Sequence, residues 1–182
     1  GLLMGGDLVN NESLELVPGG NHAANPLGCL AGTDPGVFIR GTFEFADVSG
    51  TDQFVVGFRK QEAYVVPTSF LSTGDALYTD FFGIGFSGAA DPNDVKLVRD
   101  INNAGSTVVF DTGFNFADGG IHTLEVRVKG RRVTALINGV VLGSPVKKDG
   151  VGTAISSQST FTTPTFSFDA GDFLFPFIFH RY

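Results

Sequence analysis

Apolar and polar residues alternate along most of this chain, and a period of two predicts strands rather than helices. Gly36 to Val48 reads as a long strand, with Phe43 and Phe45 on one face and Thr42, Glu44 and Ala46 on the other. Gln53 to Lys60 follows, then Leu77 to Phe86 with Phe82, Ile84 and Phe86 on one side. Val95 to Ile101 and Ser106 to Phe110 flank Asn102 to Gly105, a turn-rich connection. His122 to Lys129 places Leu124, Val126 and Val128 inward and Thr123, Glu125, Arg127 and Lys129 outward. Arg132 to Ile137 and Val140 to Leu142 flank Asn138-Gly139, a strong hairpin signal. Pro164 to Phe168 and Phe173 to Tyr182 close the chain, joined by Asp169 to Asp172.

About ten strands with turn signals between them predict an all-β, antiparallel two-sheet β-sandwich. Pro18 to Pro35, Tyr64 to Gly74 and Val146 to Thr160 carry the Gly, Ser, Thr, Asn and Pro content of loops. The economical division is an N-terminal arm or loop region over 1–35 and a sandwich domain over 36–182. In the last strand Phe173, Phe175, Phe177 and Phe179 share one parity and are expected to line the core between the sheets. Leu174, Pro176 and Ile178 hold the other parity and are apolar too. Such a strand is either covered on its second side or faces a partner, and Pro176 predicts an edge or a bulge.

Composition narrows the class. The 182 residues are 42% hydrophobic and 17% charged, with 19 Phe and no Trp, which excludes a disordered chain. A single cysteine, Cys29, excludes an internal disulfide framework and any multi-cysteine metal site. The formal charge of −7 speaks against nucleic acid as a partner, and no stretch approaches a membrane span. The chain opens at Gly1 rather than Met, so an upstream segment is expected to have been cleaved, trimmed or left out.

Two segments carry a family resemblance. Ala117 to Val128, containing His122-Thr123-Leu124-Glu125-Val126-Arg127-Val128, and Ala135 to Val140, ending in the Asn138-Gly139 turn, resemble the concanavalin A-like lectin/glucanase superfamily, laminin-G-like modules included. Phe166 to Phe177 and Val56 to Tyr64 are similar to jelly-roll modules of tailed-bacteriophage structural proteins. The resemblance implies a concanavalin A-like jelly roll over roughly residues 36 to 182. It leaves function open, because the superfold hosts hydrolases, lectins and inert structural modules alike.

Glucanases of that group carry carboxylates at alternate strand positions, about 5–5.5 Å apart in retaining enzymes. No such pattern occurs: Glu44 has no acid two residues away, and Glu125 is flanked by Thr123 and Arg127. There is no G-x-S-x-G elbow, and Cys29 with distant His22 or His122 matches no signature, so a small buried thiol is expected. No catalytic residue and no cofactor is therefore assigned. The stretch from Val109 to His122 resembles the metal loop of legume lectins, which makes Asp111, Asn115 and Asp118 the calcium candidates. Val109 stands where those lectins have glutamate, and Asp and Asn in a Gly-rich loop also serve as turn formers.

Charge is unevenly shared: residues 1–91 hold 11 acids and 3 bases, residues 92–182 hold 8 acids and 9 bases. The expectation is a non-enzymatic structural module on the surface of a virus particle, a phage capsid decoration or appendage protein. It would bind other virion proteins and copies of itself through Leu2, Leu3, Met4, Leu174, Pro176 and Ile178. The alternative is a lectin-like module for surface attachment, with Tyr64 and Tyr78 as glycan contacts; its mark would be an exposed Tyr or Phe beside amide and carboxylate side chains.

Overall fold

The computed structural model describes residues 13–20, 26–51, 53–63, 78–87, 94–100, 108–142 and 168–181. Eleven strands run through them: β1 (Ser13–Leu16), β2 (Cys29–Leu30), β3 (Val37–Phe45), β4 (Gln53–Lys60), β5 (Phe81–Phe86), β6 (Asp94–Asp100), β7 (Val108–Asn115), β8 (Gly120–Lys129), β9 (Arg132–Ile137), β10 (Val140–Val141) and β11 (Phe173–Arg181). A seven-stranded sheet has the order β1-β11-β4-β5-β6-β7, with β2 also paired to β11, and a four-stranded sheet has the order β10-β9-β8-β3. Every pairing is antiparallel. Among the described residues no helix is long and apolar enough to cross a membrane.

The period-two pattern translates directly into the layer between the sheets. Phe54, Val56 and Phe58 of β4 and Phe82, Ile84 and Phe86 of β5 meet Phe45 of β3, Leu124, Val126 and Val128 of β8 and Ile137 of β9. Each such side chain contributes about 1.5–3 kcal/mol by leaving water. Phe45 ties one end together, its ring edge-on to Phe54 and Phe86 at 5.0 and 4.8 Å and stacked on Phe116 at 5.2 Å. The Asn138-Gly139 hairpin forms as expected, both residues at positive φ (51° and 79°), which is what a tight turn between β9 and β10 demands.

Three expectations are corrected here. First, the parity of β11 is the reverse of that expected. Leu174 and Ile178 join the core between the sheets, while Phe177 and Phe179 lie on the far face of the large sheet with Val55, Tyr78, Phe81 and Val98. That far face is closed by the chain itself: Phe175, Phe177 and Phe179 are all fully buried. Second, Pro176 is not on an edge strand. Its strand pairs with β4 on one flank, while the other flank is taken by β2 at Phe173–Leu174 and by β1 from Ile178 onward. The proline falls in the gap between them, where a missing amide costs no ladder bond. Third, the stretch taken as arm or loop supplies two strands, β1 and β2.

A buried ionic knot fastens β1. The Arg59 guanidinium donates through Nε and Nη2 to Glu15 Oε1 at 3.0 and 2.7 Å, and the Tyr78 hydroxyl donates to Glu15 Oε2 at 2.7 Å. The same guanidinium lies over the rings of Tyr78 and Phe175, at 4.3 and 4.6 Å. A second network gathers Lys60, whose Nζ stands 2.8 Å from Asp172 Oδ1 and 3.6 Å from Asp80 Oδ2, at the start of β11.

His180 adds a pH dependence. Its ring lies beside Phe54, its Nδ1 has no partner, and burial holds the imidazole below its ordinary range. The unfolded chain therefore takes up a proton first as pH falls. The stability tied to neutral His180 is present above about pH 6.5 and is lost progressively below it. Thermal unfolding followed between about pH 5 and 8 is expected to show a shallower acid-side decline in His180→Phe than in the parent, and an unchanged slope would contradict this. Burial moves His122 in the same direction, so part of the slope persists.

Candidate functional site

With the far face of the large sheet closed, the outer face of the small sheet is the more exposed broad surface among the described residues, open along β3 and buried around Glu125 and Leu136. The residues it presents follow from register. Phe38 faces Arg127, which faces Thr134; Arg40 faces Glu125, which faces Leu136; Thr42 faces Thr123; Glu44 faces Ile121; Lys129 faces Arg132 beyond Phe38. Phe38 and Ile121 are exposed by 64% and 65%. Two large apolar side chains thus stand in solvent on this face, which also carries the half-exposed Val141 and the buried Leu136 among its charges and hydroxyls.

The middle of this face is preorganised. The Glu125 side chain is only 9% exposed although it points outward; two guanidinium groups flank it, and its cross-strand neighbour Leu136 is buried as well. Arg127 donates to Glu125 Oε1 through Nε, and Arg40 Nε lies 4.0 Å from Oε2. Both arginines turn Nε to the carboxylate, and their side chains remain 62% and 53% exposed. The hydrogen bond to Glu125 pushes the Arg127 guanidinium further up, keeping it charged. Alongside, the hydroxyls of Thr42 and Thr123 are 2.9 Å apart, and Asn138 Oδ1 accepts the Thr123 amide at 2.9 Å. The result is a row of fixed donors and acceptors beside an exposed aromatic ring. Planar, bidentate polar groups with an aromatic platform are what a ligand of hydroxyls and C–H faces needs.

No family model matches the chain, and no curated protein does. Among solved structures it is similar to a double mutant of congerin II, at 13% identity and a TM-score of 0.44, covering 93% of this chain and 92% of that one. It is similar to the Caenorhabditis elegans galectin LEC-6, at 13% identity and a TM-score of 0.40, with 91% of each chain covered. The glycoside hydrolase family 16 endo-glucanase from Bacteroides ovatus gives 13% identity and a TM-score of 0.42 over 79% of this chain. This chain spans 55% of that enzyme's length. These are lectin and glucanase structures of the group that the sequence motifs resemble. The sandwich itself is established by the strand order and register above.

The residues singled out from the sequence fall in other places. Tyr78 is a correction: it is 1% exposed and its hydroxyl is spent on Glu15, so it cannot meet a glycan. Tyr64, Leu2, Leu3 and Met4 lie outside the described residues. Leu174 and Pro176 are buried and Ile178 packs against the core, so they do not form a docking surface. The calcium candidates are not brought together. Asp111 accepts the Gly113 amide, Asn115 donates to Asp94, and Asp118 accepts the Val48 amide, each closing its own turn or strand end.

Asp80, Asp169 and Asp172 do converge, with carboxylate oxygens within 4.8 Å of one another. Lys60 supplies the positive charge between Asp80 and Asp172, and Arg131 stands 3.7 Å from Asp169, so protein cations serve this cluster. Cys29 is buried, and burial with nearby Asp34 pushes its thiol up to about 11, making it a poor nucleophile.

Phe38 and Arg40 were the residues missed. The signal was present in β3: Phe38 stands on the parity otherwise held by Arg40, Thr42 and Glu44, an apolar side chain on the polar face.

Proposed function

We propose that this protein is a non-catalytic carbohydrate-binding module and that its site is the outer face of the small sheet. One observation carries the reading: the Glu125 carboxylate held between Arg40 and Arg127, next to the exposed Phe38 ring. Phe38 would support the C–H face of a sugar ring, and the arginine Nη groups and threonine hydroxyls would meet its oxygens. Binding rather than hydrolysis fits the acids on this face. Glu44 and Glu125 are four residue rows apart, about 13 Å along the strands, whereas a glycosidase pair stands about 5–9.5 Å apart.

The face carries Arg40, Arg127, Lys129 and Arg132 against Glu44 and Glu125, on a chain of net charge −7. Carboxylated or sulfated saccharides are accordingly the favoured class, bound more weakly as salt rises. Of the residues expected to dock a virion assembly module, Leu174 and Pro176 are buried and Ile178 packs against the core, which favours the lectin-like alternative.

A glycan array followed by calorimetry tests the proposal. Arg127→Ala is expected to weaken binding roughly ten- to hundredfold, the worth of charged hydrogen bonds, and Phe38→Ala to weaken it comparably. Ser49→Ala, in the turn before β4, serves as the unaffected control. Absence of saccharide binding, or binding indifferent to Arg127 and Phe38, would overturn it.

A further inference from the structure

β3 is a nine-residue edge strand with no proline and an unbroken register to β8. Among the described residues its other flank is unpaired. The other edges are unlike it: β10 has two residues, β1 has four, and the register between β6 and β7 shifts at Val95/Lys96. A long regular edge is a template for another strand. Its sequence specifies which strand. Arg40 and Glu44 are both exposed and lie two residues on either side of Thr42. An antiparallel copy centred on Thr42 places Arg40 of each copy opposite Glu44 of the other, and Thr42 opposite itself. Phe38 then falls opposite Ala46, and Gly41 opposite Phe43, so no like charges meet. Shifting the register by two residues removes both charge pairings.

We propose that two copies of this chain pair through β3, antiparallel about a two-fold axis at Thr42, joining their four-stranded sheets into one eight-stranded sheet. An isologous contact of this kind closes at the dimer and removes the exposed edge. The pairing rests on the edge and its charges and does not depend on what the open face binds. If both readings hold, two binding faces lie side by side on one continuous sheet, and avidity for a repeating ligand follows.

The test is a cysteine at the axis. Across an antiparallel pair the two Cα atoms are about 4.5–5.5 Å apart, within disulfide reach. The native Cys29 is buried and stays out of the reaction. Thr42→Cys is expected to form a covalent dimer under mild oxidation roughly tenfold or more faster than Ser49→Cys, an exposed turn control. Light scattering after gel filtration, without saccharide, is expected to show a dimer for the parent, a monomer for Arg40→Glu and for Glu44→Arg, and a dimer again for the double charge swap. Arg40 also adjoins Glu125, so these variants are judged on oligomeric state alone. A monomeric parent with equal cross-linking of the two cysteine variants would overturn the proposal and leave Arg40 and Glu44 as charges that keep other strands away.

Discussion

Arg59→Ala is expected to cost about 3–5 kcal/mol of folding stability, among the largest losses any single side chain here can cause. Its side chain is 1% exposed, and the Glu15 carboxylate it holds is 2% exposed. Removing the guanidinium leaves that carboxylate inside the protein with the Tyr78 hydroxyl still donating to it, and it empties the slot between the Tyr78 and Phe175 rings. The attraction within the pair does not by itself account for the loss, because both ions had to be dehydrated to meet. The asymmetry between removing one partner and removing both is the diagnostic. Arg59→Met with Glu15→Leu, which takes away both charges and keeps apolar volume, is expected to recover most of the stability. Urea unfolding of the three proteins decides the matter. A loss below about 1 kcal/mol in Arg59→Ala would show that the knot is not anchoring the sheet.

The same knot explains why β1 belongs to the fold. Four residues of edge strand are too few to hold themselves on a sheet by backbone bonds alone. Glu15 gives β1 a fixed point against β4, and its cross-strand neighbour Phe179 belongs to the apolar layer on the far face. Fastening β1 there helps close the surface that β11 would otherwise leave open.

What was legible in the sequence and what was not divide along a physical line. Period two assigns residues to a shared face without saying which face is inside. Where the two faces differ in polarity the choice is forced, and β8 came out with Leu124, Val126 and Val128 inward. In β11 both faces are apolar, alternation carries no sign, and the inside was assigned to the wrong parity. β1 escaped notice because four residues give too short a pattern, and because its partner Arg59 lies 44 positions away. The candidate site is legible in half: alternation alone places Glu125 and Arg127 as outward strand charges. Their convergence with Arg40 and Phe38 needs the register between β3 and β8, which sequence alternation leaves free to slide in steps of two. Tyr78 misled for a simpler reason, since a tyrosine at a strand margin reads equally as a surface platform or a buried donor.

Gly85→Ala is expected to be the most damaging small substitution, costing at least about 3 kcal/mol or preventing folding. A Cβ built at Gly85 would lie 1.8 Å from the Phe54 carbonyl oxygen and 2.9 Å from Val55 Cα, all backbone of the adjacent strand β4. Gly57 meets the same obstacle from the other side, 2.0 Å from the Phe82 carbonyl oxygen. Backbone in a central ladder cannot yield without breaking the hydrogen bonds that hold it, so β4 and β5 would have to part. Gly41 makes the comparison, because a Cβ there meets the tip of the Phe43 ring at 2.5 Å, a half-buried side chain on an edge strand rather than backbone of a central ladder. Gly85→Ala is expected to melt roughly 10 °C or more below the parent by circular dichroism, and Gly41→Ala to lose clearly less. Equal losses would mean that strand spacing between β4 and β5 is not the constraint. The constraint bears on function through the layer order. β4 and β5 carry the core between the sheets on one face and the closed far face on the other, so holding them together keeps β11 and β1 in place. The outer face of the small sheet takes no part in that packing and is the surface proposed for a ligand.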